Sequence, residues 1–220
     1  MLFRDRHEAG QRLAQRLLKF KDKDPVVLAL PRGGVPVGVE VARALAAPLD
    51  LVLVRKIGVP WQPELAIGAI ADGEHPELFT DARMIAQLGI APAYLEEAKA
   101  AALTEIERRR RAWLGDRQPV EVAGRTAILV DDGIATGATM EVALRATRQR
   151  KPARLVLAVP VAPPGTIAKL RKEADEIVCL DTPEEFFAVG QFYRRFHQLE
   201  DDEVTALLEE ARGFALPARA

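Results

Sequence analysis

Ile128-Leu129-Val130-Asp131-Asp132-Gly133-Ile134-Ala135-Thr136-Gly137-Ala138-Thr139 runs an apolar strand pattern straight into two carboxylates, a Gly/Thr loop and the start of a helical pattern. That order suits a phosphorylated sugar. Glycines let backbone N–H groups converge on an anion, threonine hydroxyls add donors, and a helix start presents unpaired amides. The carboxylates of Asp131 and Asp132 are acceptors for the vicinal hydroxyls of a ribose and ligands for a divalent cation. A Walker phosphate loop is excluded, because Gly137 is followed by Ala138 where that loop needs Lys.

Around this segment, strand and helix patterns alternate. Residues 7–20 predict a helix that ends at Lys21-Asp22-Lys23-Asp24-Pro25. A strand follows at Val26 to Leu30, then the turn Pro31-Arg32-Gly33-Gly34, a helix over Val35 to Leu45 and a strand over Leu49 to Val54. Such βαβ units build parallel sheets. Beyond Arg55-Lys56, glycines and prolines punctuate a stretch in which Leu65 to Ile70 predicts one arm of a hairpin. A long helical region over 81–114, broken at Gly89-Ile90-Ala91-Pro92, comes next. Strands are expected at 127–130, 155–159 and 177–180, with helices at 139–150 and 166–173. Ligand loops in such sheets lie at the carboxyl ends of the strands, which brings 131–139 and 31–34 toward one site.

At 220 residues the chain has room for one α/β core with insertions. A net charge of -1 gives no electrostatic footprint for nucleic acid. The first residues lack the apolar core of a signal peptide and no apolar run reaches membrane-span length, so a cytoplasmic protein with no membrane partner is expected. Serine is absent, which excludes a serine hydrolase. The single cysteine, Cys179, cannot form an internal disulfide and is expected in a buried strand. His7, His75 and His197 have no metal-ligand spacing. Four consecutive arginines, Arg108 to Arg111, cover all sides of a helix and are expected to be a solvated surface.

The segment 128–139 resembles the PRPP-binding motif of type I phosphoribosyltransferases: an apolar strand, two acidic residues, a short linker and Thr-Gly-x-Thr. PRPP is 5-phosphoribosyl 1-pyrophosphate. The resemblance implies a single domain over 1–220 with the type I fold: a mostly parallel central sheet flanked by helices, a lid and helical insertion at about 57–120, and a hood at about 181–210. It places the 5-phosphate on Gly133, Ile134, Ala135, Thr136, Gly137, Ala138 and Thr139, and the ribose diol and Mg on Asp131 and Asp132. Leu30-Pro31-Arg32-Gly33-Gly34 resembles the family's pyrophosphate loop, which implies pyrophosphate binding by Arg32, Gly33 and Gly34 and a cis bond between Pro31 and Arg32. Arg55 and Lys56 are similar to a basic pair that neutralises the leaving pyrophosphate, and 57–75, with Gln62 and Glu64, to a mobile lid.

Phe187-Ala188-Val189-Gly190 resembles the hood of 6-oxopurine enzymes, where the Phe stacks on the base; Phe187 and Ala188 are therefore the expected acceptor contacts, with Phe186, Phe192 and Phe196 packed in the core. Three positions depart from that subgroup: Ala135 stands for an acidic residue near the base, Pro160 for a purine-reading Lys, and Arg194 for an acidic metal contact. The donor is thus better specified than the acceptor. The expected activity is transfer of the phosphoribosyl group between PRPP and a small acceptor, with Mg as cofactor and a homodimer as assembly. The alternative is a non-catalytic PRPP- or nucleotide-binding regulator.

Overall fold

The computed structural model describes residues 1–72, 76 and 78–214. His75 and residues 73–75 of the expected lid lie outside the described residues, as does the side chain of Glu64. Five strands, β1 (Pro25–Ala29), β2 (Leu49–Leu51), β6 (Thr126–Val130), β7 (Arg154–Val161) and β8 (Glu176–Asp181), form a sheet in the order β2-β1-β6-β7-β8. All of its pairings are parallel. A second, antiparallel sheet contains β3 (Val54–Val59), β4 (Gln62–Ala71) and β5 (Leu78–Thr80). The helices are α1 (Arg6–Leu17), α2 (Gly34–Leu45), α3 (Ala82–Leu88), α4 (Pro92–Leu114), α5 (Ala138–Gln149), α6 (Pro164–Leu170) and α7 (Asp201–Glu210).

Strand side chains alternate between faces, so each apolar strand of the parallel sheet feeds two cores. Val27, Ala29, Ile128, Val130, Val156 and Ala158 pack on one side with Leu13, Val41 and Leu208. Val26, Leu28, Ala127, Leu129, Leu155 and Leu157 pack on the other with Met140, Leu144 and Leu170. This two-sided burial explains why the strands read as unbroken apolar runs.

The expected strand from Leu49 to Val54 is divided. Val52 still donates to the Ala29 carbonyl at 3.0 Å, but the amide of Leu53 turns to the Asp72 carboxylate at 2.9 Å, and the chain leaves the parallel sheet for β3. The hairpin expected around Leu65 to Ile70 is present, with β4 as its longer arm. The helical region breaks where expected: Gly89 caps α3 at φ 63°, in the left-handed region, and Pro92 starts α4.

Arg108, Arg109 and Arg111 behave as a solvated face: Arg108 and Arg109 hold Glu105 down at about 2 by hydrogen bonds, and Arg111 pairs with Glu107. Arg110 corrects the expectation for the run. It turns inward, donates to Asp72 at 2.8 Å and approaches Asp50 at 3.7 Å, tying α4 to the end of β4 and to β2. Burial pushes the Asp72 carboxyl above its ordinary range, while Arg110 counteracts that shift. Arg110→Met should therefore cost about 3–5 kcal/mol by stranding a buried carboxylate, and the added change Asp72→Asn should recover part of that loss. Urea unfolding of both variants measures this; equal stability for the single and double variants would contradict it.

Candidate active site

The loop after β1 and the loop after β6 meet directly, because the two strands are neighbours. At Gly33 an added Cβ would stand 2.2 Å from Asp132 Oδ2, so no side chain fits between the loops. The Pro31-Arg32 peptide bond is cis, as the resemblance implied. Gly34 is the first residue of α2 and its amide donates to the Leu30 carbonyl at 2.9 Å. Of the expected pyrophosphate loop, Gly34 therefore serves the helix start, while Arg32 and Gly33 face the acidic pair's side.

Asp132 is buried and held at its amide, its carbonyl and one carboxylate oxygen. Its Oδ2 accepts from Arg6 Nε at 2.7 Å, its carbonyl accepts from the Tyr193 hydroxyl at 2.5 Å, and its amide donates to Asp131 Oδ1 at 2.8 Å. Burial raises the Asp131 carboxyl well above the ordinary range, with the charge of Asp132 adding to it. Burial also raises Asp132, against the opposing pull of Arg6. Asp131 has no cationic partner among the described residues, so the pair splits into one carboxylate already neutralised and one still lacking a cation.

The rest of the loop leaves polar groups open. Gly137 adopts φ 81°, a left-handed conformation natural to glycine, and becomes the N-cap of α5 without any side-chain cap. The first amides of α5 thus stay available. Thr136 and Ala138 are exposed and Thr139 is half-buried. Ile134 is a different case: its side chain is buried and its amide donates to the Val161 carbonyl at 3.0 Å, so it anchors the loop and offers nothing to a ligand. Thr166 Oγ1 donates to the Ala135 carbonyl at 2.6 Å, which fixes the loop from the α6 side.

Arg55 and Lys56 lie within β3 and not at the end of a parallel strand. Adjacent strand residues point to opposite faces, so they cannot act as one pair. Arg55 comes within 3.8 Å of Glu105 and lines a small cleft with Pro31, Arg109 and Thr139. Lys56 is exposed on the other face.

The C-terminal segment closes the far side. Phe187 is 88% exposed on the hood, with its amide and that of Ala188 held by Gln191 Oε1 at 3.0 and 3.2 Å. Phe192 is buried as expected, against Phe186 at 5.0 Å between ring centroids. Phe196 corrects the core reading: it is 39% exposed and lies under the Arg6 guanidinium, 3.9 Å from its ring centroid. Arg32 donates to the Leu199 carbonyl at 2.6 Å and pairs with Asp201 at 3.1 Å. A cavity of about 350 Å³ lies between Arg6, Arg32, Gly33, Asp132 and residues 196–199.

Arg6, Tyr193 and Asp201 carry no motif that the sequence would single out. Arg6 is one of many arginines, and only its place over the β6 loop gives it meaning. Half-buried Cys179 donates from its thiol to the Asp181 carbonyl, and burial pushes its pKa up to about 11, so it is an inert strand residue.

Comparison with known proteins gives the family. Residues 5–196 match the family described as phosphoribosyl transferase domain. In two strains of Mycobacterium tuberculosis, CDC 1551 / Oshkosh and H37Rv, a protein named "Putative phosphoribosyl transferase" is 48% identical over 215 residues, 97% of this chain and 48% of the relative. The chain thus spans about half the length of the curated relatives it matches. The crystal structure of TT1426 from Thermus thermophilus superposes with a TM-score of 0.82 at 43% identity, over 97% of this chain and all of that one. The match over most of the chain, together with the acidic pair and the anion loop at adjacent strand ends, means that this chain belongs to the phosphoribosyl transferase domain family.

Proposed function

We propose that the chain is a phosphoribosyltransferase that moves the 5-phosphoribosyl group between PRPP and a nitrogenous base or other small acceptor. The observation that carries this reading is that Asp132 Oδ2 occupies the space a Cβ on residue 33 would need, because this sets the arginine-bearing loop directly beside the acidic pair. PRPP needs both within one molecule's length. Its 5-phosphate would take the open amides and hydroxyls of residues 136–139, and Asp131 would accept from the ribose hydroxyls. Arg32 would meet the pyrophosphate, while Arg55 lines a separate small cleft beside Pro31 and Thr139.

The residues fit Mg²⁺. Among the described residues no cluster of three or more acidic, His or Cys side chains forms a protein cage, but Mg²⁺ is commonly held by one or two carboxylates plus substrate phosphates. Asp131, a desolvated carboxylate with no cationic partner, is the first ligand to expect, with Asp132 beside it. Bound there, the ion would screen charge on the pyrophosphate. The acceptor nitrogen forms its bond to the anomeric carbon as the bond to pyrophosphate oxygen breaks, and the electron pair leaves with pyrophosphate. The chain's own share is to orient PRPP, exclude water beneath the β3–β4 hairpin and hood, and present Arg32 to the growing negative charge.

Release of pyrophosphate from PRPP, followed across a set of bases with Mg²⁺ present, tests the activity. Acceptor-dependent release is expected; PRPP binding with no release for any acceptor would favour a regulator.

Phe187 is solvent-facing, so Phe187→Ala should leave the melting temperature nearly unchanged and weaken acceptor binding by about 1–3 kcal/mol, the worth of one stacked base. A parallel loss of PRPP affinity would contradict the stacking role.

Asp131→Asn should do the reverse. The folded carboxyl's raised pKa means that the folded chain holds its proton more tightly than the unfolded chain, so this group's stabilising contribution is present in acid and is lost as pH rises above the ordinary carboxylate range. Replacing it with a neutral amide should raise the melting temperature at pH 7 to 8 while weakening PRPP. Melting curves at pH 5 and pH 8 check the sign: the gain should be larger at pH 8.

A further inference from the structure

We infer that Arg6, the first residue of α1, is a positioning residue for the phosphoribosyl donor, acting through Asp132. The inference rests on the transferase reading and concerns a side chain that lies outside the binding loops. Three contacts fix the Arg6 guanidinium: Nε to Asp132 Oδ2 at 2.7 Å, Nη1 to the His197 carbonyl at 2.9 Å, and its face on the Phe196 ring. Arg6 is only 8% exposed. A buried guanidinium with each of these contacts satisfied is held in one orientation, and so is the carboxylate it binds.

What Asp132 touches makes that orientation matter. Its Oδ2, the oxygen held by Arg6, stands 2.2 Å from where a Cβ on residue 33 would be, so it fills the space that glycine leaves open. A turn of this carboxylate would push on the Pro31-to-Gly34 loop and move Arg32. Asp131 is held by the backbone of the same residue, its Oδ1 accepting from the Asp132 amide at 2.8 Å. Among the described residues, Arg6 is the cation paired with this acidic couple. It therefore neutralises one carboxylate, leaves the other for the donor, and sets the spacing between acidic pair and anion loop. Through Phe196 and the His197 carbonyl it also ties that spacing to the segment leading from the hood.

The test is a double-variant cycle read by calorimetry with PRPP and Mg²⁺, using inorganic phosphate as the control ligand for the α5 start, with a melting curve for each protein. Arg6→Met should weaken PRPP at least tenfold and leave phosphate affinity unchanged; Arg6→Lys, which keeps the charge without the planar fork, should fall between it and the parent. In the Asp132→Asn background, Arg6→Met should add little further loss. This double variant and Arg6→Lys keep the inference open to refutation if Arg6→Met alone does not fold. A folded Arg6→Met with parental PRPP affinity would overturn the role, as would losses that multiply in the double variant or a parallel fall in phosphate affinity. A parent chain that binds no PRPP at all would overturn the transferase reading and this role with it.

Discussion

The carboxylate of Asp132 has nowhere to go. One of its oxygens fills the space that a Cβ on residue 33 would need, Arg6 donates to that same oxygen, and Tyr193 donates to its backbone carbonyl. This closeness follows from the order of strands: β1 and β6 are adjacent and parallel, so their C-terminal loops emerge side by side. Any residue larger than glycine at position 33 would part the loops. The Arg32 loop and the acidic pair would then no longer meet.

That constraint organises the outer parts of the molecule. The N-terminal helix supplies Arg6, and the last segment returns to it: Phe3 donates to the Phe192 carbonyl at 2.8 Å, while Arg194 and Arg195 donate to the carbonyls of Phe3 and Arg4 at 2.9 and 3.0 Å. The residues leading into α1 and the segment 192–195 are thus tied together on one side of the sheet. From the other, α4 and the antiparallel sheet are locked together by Arg110 and Asp72. Arg32, between these bodies, is bonded to Leu199 and Asp201 at the start of α7, where exposed ion pairs are worth little and a substrate anion can compete.

Most of the parallel core was legible because strands buried on both faces read as continuous apolar runs, and the glycines and prolines marking their ends have local meanings. The turn into α5 was legible for the same reason: Gly137 adopts a left-handed conformation, and the helix after it leaves its first amides open. What could not be read depends on contacts between distant residues. The strand at Leu49 gives way early because Asp72 captures an amide across the chain. Arg55 and Lys56 look like a pair until their strand turns them to opposite faces. Arg110 reads like its neighbours in an arginine run, yet a buried carboxylate draws it inward. Arg6 and Phe196 are invisible to motif reading because their partnership joins the two ends of the matched region.

The most direct measurement is a crystal structure of this chain with PRPP and Mg²⁺. The 5-phosphate is expected on the amides of residues 136–139, the ribose hydroxyls on Asp131, the pyrophosphate against Arg32, and the Arg6 to Asp132 bond intact. PRPP lying elsewhere, or bound with its pyrophosphate over 136–139 and its ribose away from Asp131, would contradict this arrangement.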